Sequence, residues 1–239
     1  MAEVTELIQR TVQGMTSPWI AMLDDGQLYY IKGQQALCRG LVIELICAEL
    51  GVLLNLPVPP YKVAYLDPSL LKYNEEAFKD FNGEICEVFA SSKAKEYQEI
   101  QYSQIDKVSE IEAKLLFFFD YLIMNEDRTL GPLGGNPNLL FNSQTNEIAV
   151  IDHNLGFDIN FDFERHKEHH IFSSLWYCPQ RDLHLIPELQ AKLPGVIKKL
   201  RSYVEDIPEE WLENQPNLIE EIFNKLELYK EESFWEGLQ

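Results

Sequence analysis

The spacing of hydrophobic residues divides the chain into a strand-rich first part and a helix-rich second part. The aromatic and β-branched run Leu28–Lys32 follows the turn signal Asp24-Asp25-Gly26, which predicts a hairpin of residues 19–22 and 28–32. Residues 37–54 place apolar side chains at helical spacing and predict a helix. Two further apolar segments complete a small mixed sheet, at residues 63–66 and 85–89.

The second part opens with a long apolar helix. Ser109 and Glu112 have the spacing of a capping box at its start. The aromatic run 117–119 is predicted to lie in the core. One apolar face of this helix is predicted to carry Ile111, Leu115, Phe118 and Leu122.

A short hairpin follows the helix, and helices follow the hairpin. Residues 139–141 and 148–151 are predicted to pair across the turn-rich segment 142–146. After Pro187 the pattern is helical, with breaks predicted at Pro194, Pro208 and Pro216. The large aromatic residues of these acidic helices are predicted to face inward, namely Trp211, Phe223 and Trp235.

These elements predict an α+β protein of two lobes. Residues 1–90 form an N-terminal lobe with a small mixed β-sheet and one helix. Residues 91–239 form a larger, mainly helical C-terminal lobe that contains the second hairpin. A chain of 239 residues with 46% hydrophobic residues has enough apolar surface for such a core.

Charge narrows the classes of partner. The formal net charge of −19 repels nucleic acid and anionic lipid, so neither is expected as a direct partner. The four cysteines form no C-x-x-C pair, which argues against a zinc site and a disulfide framework. No signal pattern or membrane-length apolar stretch is recognised, so a cytoplasmic location is expected.

Two charged residues lie within apolar segments, where burial of a charge is costly. Glu44 interrupts the helix of residues 37–54, and Lys32 closes the apolar strand that precedes it. The two are predicted to pair. The alternative is that Glu44 faces solvent on one edge of the helix and Lys32 marks a strand end.

Polar residues flank the second hairpin. Asn136 and Asn138 precede its first strand, and Asp152 follows its second strand. An antiparallel hairpin brings these positions together. The segment Asn125-Glu126-Asp127-Arg128 lies just upstream, at the end of the apolar helix. Carboxylate and amide oxygens clustered in this way suit Mg²⁺.

A weaker metal candidate is the set of His166, His169 and His170, although exposed histidine-rich helices are common.

Three segments of the second part resemble the catalytic and metal-binding segments of the HipA-like kinases. They are Asn125-Glu126-Asp127-Arg128-Thr129, Asn136-Pro137-Asn138-Leu139-Leu140-Phe141 and Ile151-Asp152-His153. In the first part, residues 44–51 and the element Leu56-Pro57-Val58-Pro59 are similar to the same family, so the resemblance covers about residues 14–160. It implies a protein-kinase-like fold and a phosphotransferase that uses ATP and Mg²⁺.

The resemblance also implies roles for individual residues. Lys32 holds the α- and β-phosphates of ATP and is positioned by Glu44. Asp127 accepts the proton of the acceptor hydroxyl. Asn136 and Asp152 hold Mg²⁺, with Asn138 as the alternative to Asn136. Nucleotide-binding residues besides Lys32 are Gly14, Thr16, Ser17, Glu87 and Phe89, and Thr16 or Ser17 is a candidate regulatory phosphorylation site.

One spacing departs from the kinase scheme. Asp127 and Asn136 are nine positions apart, whereas the kinase catalytic loop has about five. The longer loop folds aside on its glycines, or it shifts Asn136 away from the metal. The leading interpretation is a serine/threonine-protein kinase of the toxin type, with a protein substrate and an antitoxin partner. The alternatives are a nucleotide-binding pseudokinase and a small-molecule kinase.

Overall fold

The first part of the chain folds into a closed five-stranded barrel. The computed structural model describes residues 2–11, 17–33, 37–82, 87–178 and 184–238. The strand order is β1-β2-β3-β5-β4, and β1 closes the barrel by pairing antiparallel with β2 and parallel with β4. The strands are β1 (Ala2–Arg10), β2 (Trp19–Leu23), β3 (Leu28–Lys32), β4 (Tyr61–Tyr65) and β5 (Glu87–Ser92).

The predicted hairpin of β2 and β3 is confirmed, but β1 was not predicted. Its sequence carries glutamates and buries only Val4 fully, so it lacks the apolar alternation of a strand with one buried face. The strand forms because both of its edges find partners in the barrel. Its presence corrects the predicted small sheet to a closed barrel.

The predicted helix is confirmed as α1 (Leu37–Leu54). Most of its residues are buried, and it contacts α6 and α7 as well as the barrel strand β5. Its apolar residues belong to the large core of the helical part, whereas the barrel interior forms a second, smaller core. The helix that carries Glu44 is therefore held from several sides.

The remaining elements are mainly helical. The helices are α2 (Glu75–Asp80), α3 (Glu110–Leu122), α4 (Phe163–His169), α5 (Ser173–Trp176), α6 (Leu185–Arg201), α7 (Glu209–Leu212), α8 (Leu218–Leu226) and α9 (Glu232–Glu236). The strands are β6 (Gln98–Glu99), β7 (Thr129–Gly131), β8 (Gly134–Asn136), β9 (Leu139–Phe141) and β10 (Ile148–Val150). Short 3₁₀ helices cover Pro68–Leu71, Tyr102–Lys107, Val204–Asp206 and Glu227–Lys230.

The helix α3 matches its predicted position but differs in detail. Ser109 precedes it without a side-chain cap, so the capping box does not form. Ile111 is 75% exposed, and the buried side of the helix includes Lys114 and Asp120 as well as the aromatic run 117–119. Phe118 and Leu122 of the predicted face are buried and Leu115 packs against the core, so the prediction is wrong only for Ile111, at the exposed start of the helix.

After residue 184, two of the three predicted helix breaks are present. Pro194 lies inside α6 and does not end it, whereas Pro208 and Pro216 precede α7 and α8. The predicted inward aromatics are confirmed, since Trp211, Phe223 and Trp235 are buried. Mixed helix and strand content confirms the α+β class. The division at residue 90 stays a prediction.

No helix within the described residues is long and apolar enough to cross a membrane.

Candidate active site

A buried ammonium group joins three elements of the fold. Lys32 ends β3, and its Nζ lies 3.1 Å from Oε2 of Glu44 on α1 and 2.6 Å from Oδ1 of Asp152, just after β10. The side chains of Lys32 and Glu44 are 9% and 4% exposed, and that of Asp152 is 22% exposed. The structure thus brings the predicted pair together, and the reading of Glu44 as solvent-facing is wrong.

The charges in this cluster stabilise one another. Burial raises the pKa of Glu44, but Lys32 and His153 outweigh burial and lower the pKa to about 2. Burial lowers the pKa of Lys32, and the carboxylates of Glu44 and Asp152 outweigh it, so the net shift is upward. Both groups are therefore charged at neutral pH, so the ammonium group of Lys32 stays protonated between the two carboxylates.

The backbone around Asp152 completes this arrangement. The N–H of His153 donates to Oε2 of Glu44 at 3.1 Å, and the imidazole Nδ1 lies 3.6 Å from Oε1. Glu44 therefore contacts both Lys32 and the residue that follows Asp152. Asp152 itself has a positive φ of 58°, a strained conformation that the surrounding contacts maintain.

The second hairpin brings the two ends of its strands together, as predicted. Leu139 pairs with Val150, and the N–H of Ile151 donates to the carbonyl of Asn138 at 3.2 Å. Asn138 and Asp152 are therefore next to this last hydrogen bond, on adjacent strand ends. Asn138 also has a positive φ, of 43°. The hairpin is widened by β6, which was not predicted and pairs with β9.

Asp127 accepts hydrogen bonds from both candidate metal-binding asparagines. Its Oδ2 lies 2.7 Å from Nδ2 of Asn136 and 2.8 Å from Nδ2 of Asn138. Asn136 lies nine positions after Asp127, and residues 129–136 form the hairpin of β7 and β8 that returns Asn136 to Asp127. The longer loop therefore folds aside without moving Asn136 away from the cluster.

A second ionic network lies beneath these residues. The guanidinium of Arg128 lies 2.6 Å from Asp120 of α3, and both side chains are fully buried. Its Nη1 donates to the carbonyls of Pro137, Asn138 and Ile151. Arg128 thus holds the segment before Asn138 and the segment before Asp152 at the same point.

Two histidines extend this second network. Nε2 of His170 lies 3.0 Å from Oδ2 of Asp120, and Nε2 of His166 lies 3.3 Å from the carbonyl of Phe117. Burial lowers the pKa of His166 to about 3, and it lowers the pKa of His170 against the opposing effect of Asp120. These two rings are buried and contact Phe117 and Asp120, whereas His169 is exposed, so the three imidazoles of the weaker metal candidate do not converge on one point.

Sequence reasoning missed the part played by Asp120. Arg128 outweighs the effect of burial and lowers the pKa of the Asp120 carboxyl. The available signal was its position inside the apolar run 116–122, which is the same signal that singled out Glu44. A charged residue in a helix of this kind needs a partner, and the partner here lies eight residues further on.

The predicted nucleotide-binding residues are only partly within this cluster. Gly14 and Thr16 lie outside the described residues, and Ser17 precedes β2 with a positive φ of 39°. Phe89 is buried and pairs in register with Lys32 across β3 and β5. The main chain of Glu87 is bonded elsewhere: its carbonyl accepts from Trp211, and its N–H donates to Glu210.

The comparisons with known proteins identify the family. A family model described as HipA-like kinase matches residues 4–238, nearly the whole chain. The chain belongs to the HipA-like kinase family. A search of curated proteins finds no match. Membership of this kinase family supports a phosphotransferase and implies, in general terms, ATP and a divalent metal.

The residues of this HipA-like kinase fit a metal–nucleotide pair. Asn136 and Asn138 turn their Nδ2 groups to Asp127, which leaves their Oδ1 atoms as oxygen donors. Asp152 contacts Lys32 through Oδ1 and adds a carboxylate. Hard divalent cations prefer such oxygen ligands and share their shell with phosphate oxygens. Within the described residues, no cluster of three or more His, Cys, Asp or Glu side chains has the geometry of a metal site.

Proposed function

We propose that this HipA-like kinase is an ATP- and Mg²⁺-dependent serine/threonine-protein kinase with a two-lobed, protein-kinase-like arrangement. The observation that carries the proposal is the contact of Lys32 with both Glu44 and Asp152, at 3.1 and 2.6 Å. These residues are 12 and 120 positions apart, and they follow the order of strand lysine, helix glutamate and metal aspartate in the kinase scheme.

Each side chain has a role that follows from its contacts. Lys32, held by Glu44, offers a fixed positive charge to the phosphates of ATP. Asp152 and either Asn136 or Asn138 would hold the divalent metal, which would supply neutralising charge to the phosphates of ATP. Asp127, oriented by the two asparagine amides, accepts the proton of the acceptor hydroxyl.

The reaction transfers one phosphoryl group. The acceptor hydroxyl oxygen forms a bond to the γ-phosphorus of ATP while the bond from that phosphorus to the β–γ bridging oxygen breaks, and ADP leaves. The hydroxyl proton passes to Asp127. The protein contributes position and charge, which supply most of the rate enhancement in phosphoryl transfer.

We include in the proposal a toxin-type role with an antitoxin partner, which the resemblance to the HipA-like kinases implies. ATP as the phosphoryl donor favours a cytoplasmic location. The acidic charge of −19 favours protein partners over direct contact with nucleic acid.

The test of the kinase proposal is phosphoryl transfer from labelled ATP with Mg²⁺. The acceptors are the chain itself and a panel of translation-related proteins. We expect transfer by the natural sequence and at least a hundredfold loss in Asp127→Asn, since the proton acceptor is removed. Asp106→Asn, at an exposed position of the 3₁₀ helix Tyr102–Lys107, is the control and keeps full transfer.

Calorimetry separates the kinase from a nucleotide-binding pseudokinase. We expect Asp152→Asn to weaken binding of Mg²⁺-ATP at least tenfold, because one ligand carboxylate is lost. Nucleotide binding by the natural sequence without transfer to any acceptor contradicts the kinase proposal and favours the pseudokinase. Undiminished Mg²⁺-ATP binding by Asp152→Asn contradicts the metal role of this residue.

A further inference from the structure

The hairpin inserted between Asp127 and Asn136 is anchored on one side only. Thr129 of β7 forms a bridge with His170, and the N–H of Ile171 donates to the carbonyl of Arg128 at 3.2 Å. These contacts fix β7 to the helical part of the fold. Strand β8 pairs with β7, and no strand pairs with its other edge within the ranges that the structure describes.

The free edge of β8 carries almost no side chains. Gly134 and Gly135 are exposed, and Gly134 has a φ of +111° that disfavours any other residue. A Cβ at Gly135 would lie 2.4 Å from the carbonyl oxygen of Thr129, so glycine is also required for the pairing with β7. The edge therefore presents main-chain N–H and C=O groups that another extended chain can reach.

This edge leads directly to the proposed catalytic group. Asn136 ends β8, and its Nδ2 lies 2.7 Å from Oδ2 of Asp127. A segment that pairs with β8 in extended conformation runs toward Asp127. The spacing of residues along such a segment, about 3.3 Å, can place one of its hydroxyl groups beside the carboxylate.

We propose that the acceptor is an extended polypeptide segment that adds to the free edge of β8 as a third strand. The inference rests on the proposed kinase function and names the class of its substrate. Strand addition takes its affinity from main-chain hydrogen bonds and its specificity from neighbouring side chains. A small sugar or aminoglycoside acceptor has no peptide main chain and cannot pair with such an edge.

Two neighbouring features add selectivity. Leu133, at the tip of the hairpin, is fully exposed and offers an apolar contact to the segment. The strongly acidic chain favours basic residues in the segment. The hairpin also borders α4 across an open groove of about 400 Å³, lined by β7 and by Gly134 of β8, where Arg165 is paired with Glu126 at 3.2 Å.

The experiment uses the full chain, Mg²⁺-ATP and a library of unstructured serine- and threonine-containing peptides with basic flanks. The best library peptide is then resynthesised with a single backbone N-methyl group at each position in turn. Strand addition predicts that methylation at alternating positions raises KM roughly tenfold, because a hydrogen bond to β8 is lost there. The intervening positions face away from β8 and change KM by less than about twofold.

A matched pair of variants tests the location. Leu133→Ala is expected to raise KM for the library peptide about threefold, as one apolar contact is lost. Tyr73→Ala removes another almost fully exposed apolar residue, before α2 in the first part of the chain, and is expected to leave KM unchanged.

Several outcomes overturn the inference. N-methylation without an alternating effect shows that the peptide does not pair with β8. Sensitivity to Arg165→Ala instead of Leu133→Ala places the acceptor in the groove beside α4. Phosphorylation of small hydroxylated molecules but of no peptide rejects the polypeptide class while leaving the kinase function intact. Failure of the natural sequence to bind Mg²⁺-ATP in calorimetry rejects the kinase function itself.

Discussion

Two of the ionic networks that the structure describes meet the same strand ends of the β9–β10 hairpin, and they differ in exposure. The network of Lys32, Glu44 and Asp152 reaches solvent through the Asp152 side chain, which is 22% exposed. The network of Asp120, Arg128 and His170 is almost fully buried. The first joins side chains from three separate elements, whereas the second joins side chains to main-chain carbonyls.

This difference indicates two kinds of work. A charge with one partly exposed partner, as Lys32 has in Asp152, can exchange a carboxylate for a phosphate more readily than a charge whose partners are all buried. A fully buried guanidinium that satisfies an aspartate and three carbonyls has no alternative partner. We infer that the first network serves chemistry and that the second positions the strand ends on which the chemistry depends.

The largest expected effect comes from breaking the buried network. Arg128→Met leaves the Asp120 carboxylate without its buried partner and should lower the free energy of unfolding by about 3–5 kcal/mol. Denaturant unfolding followed by fluorescence measures this loss. A loss below about 1 kcal/mol contradicts the positioning role and removes the distinction between the networks.

The network of Lys32, Glu44 and Asp152 should respond in activity more than in stability. Lys32→Met removes the charge that faces the phosphates and is expected to reduce phosphoryl transfer by about 10²-fold or more. The free energy of unfolding should fall by less than in Arg128→Met, since Glu44 still accepts from the N–H of His153. Equal losses of stability in the two variants, measured side by side, would show that the networks do the same work.

The free energy of unfolding should depend on pH through His166, which extends the buried network. The pKa of folded His166 is about 3, below its ordinary value of 6.5, so the unfolded chain binds a proton that the folded chain excludes. The free energy of unfolding should therefore fall as pH drops below 6.5, by up to about 1.4 kcal/mol per pH unit. His166→Phe should reduce this slope by one proton, while His169→Phe, at an exposed position, should not.

The smallest expected effect belongs to an exposed ion pair. Arg165 lies 3.2 Å from Glu126, and its side chain is 65% exposed. Arg165→Met makes the same chemical change as Arg128→Met and should cost less than about 1 kcal/mol in the unfolding assay. An equal loss in the free energy of unfolding for Arg165→Met and Arg128→Met would show that burial does not determine how much each arginine stabilises the fold.

The sequence predicted those features that depend on neighbouring residues. The hairpin of β9 and β10 is set by two apolar runs and a polar turn, and its antiparallel pairing was enough to bring Asn138 beside Asp152. Likewise, Lys32 and Glu44 were recognised as a pair because each interrupts an apolar segment. Local patterns carry this information because they show which charged and polar groups will be buried, and a buried group of this kind needs a partner.

The missed features depend on partners that are distant in the sequence. The strand β1 pairs on one edge with β2 and on the other with β4, some 60 residues away, and its own sequence has the polar pattern of a surface segment. The burial of His166 and His170 depends on their packing against Phe117. Asn136 returns to Asp127 because β7 and β8 pair over three residues. This pairing could not be predicted from the sequence, since the segment is rich in glycine and lacks the pattern of a strand.

The burial of α1 limits how this protein can be switched off. Most of the helix is enclosed, with α6 and α7 on one side and β5 on another. Rotating it outward to separate Glu44 from Lys32 would expose many apolar side chains to water, at about 25 cal/mol for each Å² uncovered. Inhibitors and regulatory partners should therefore act on the segments around Lys32 and Asp152, while this helix stays in place throughout the catalytic cycle.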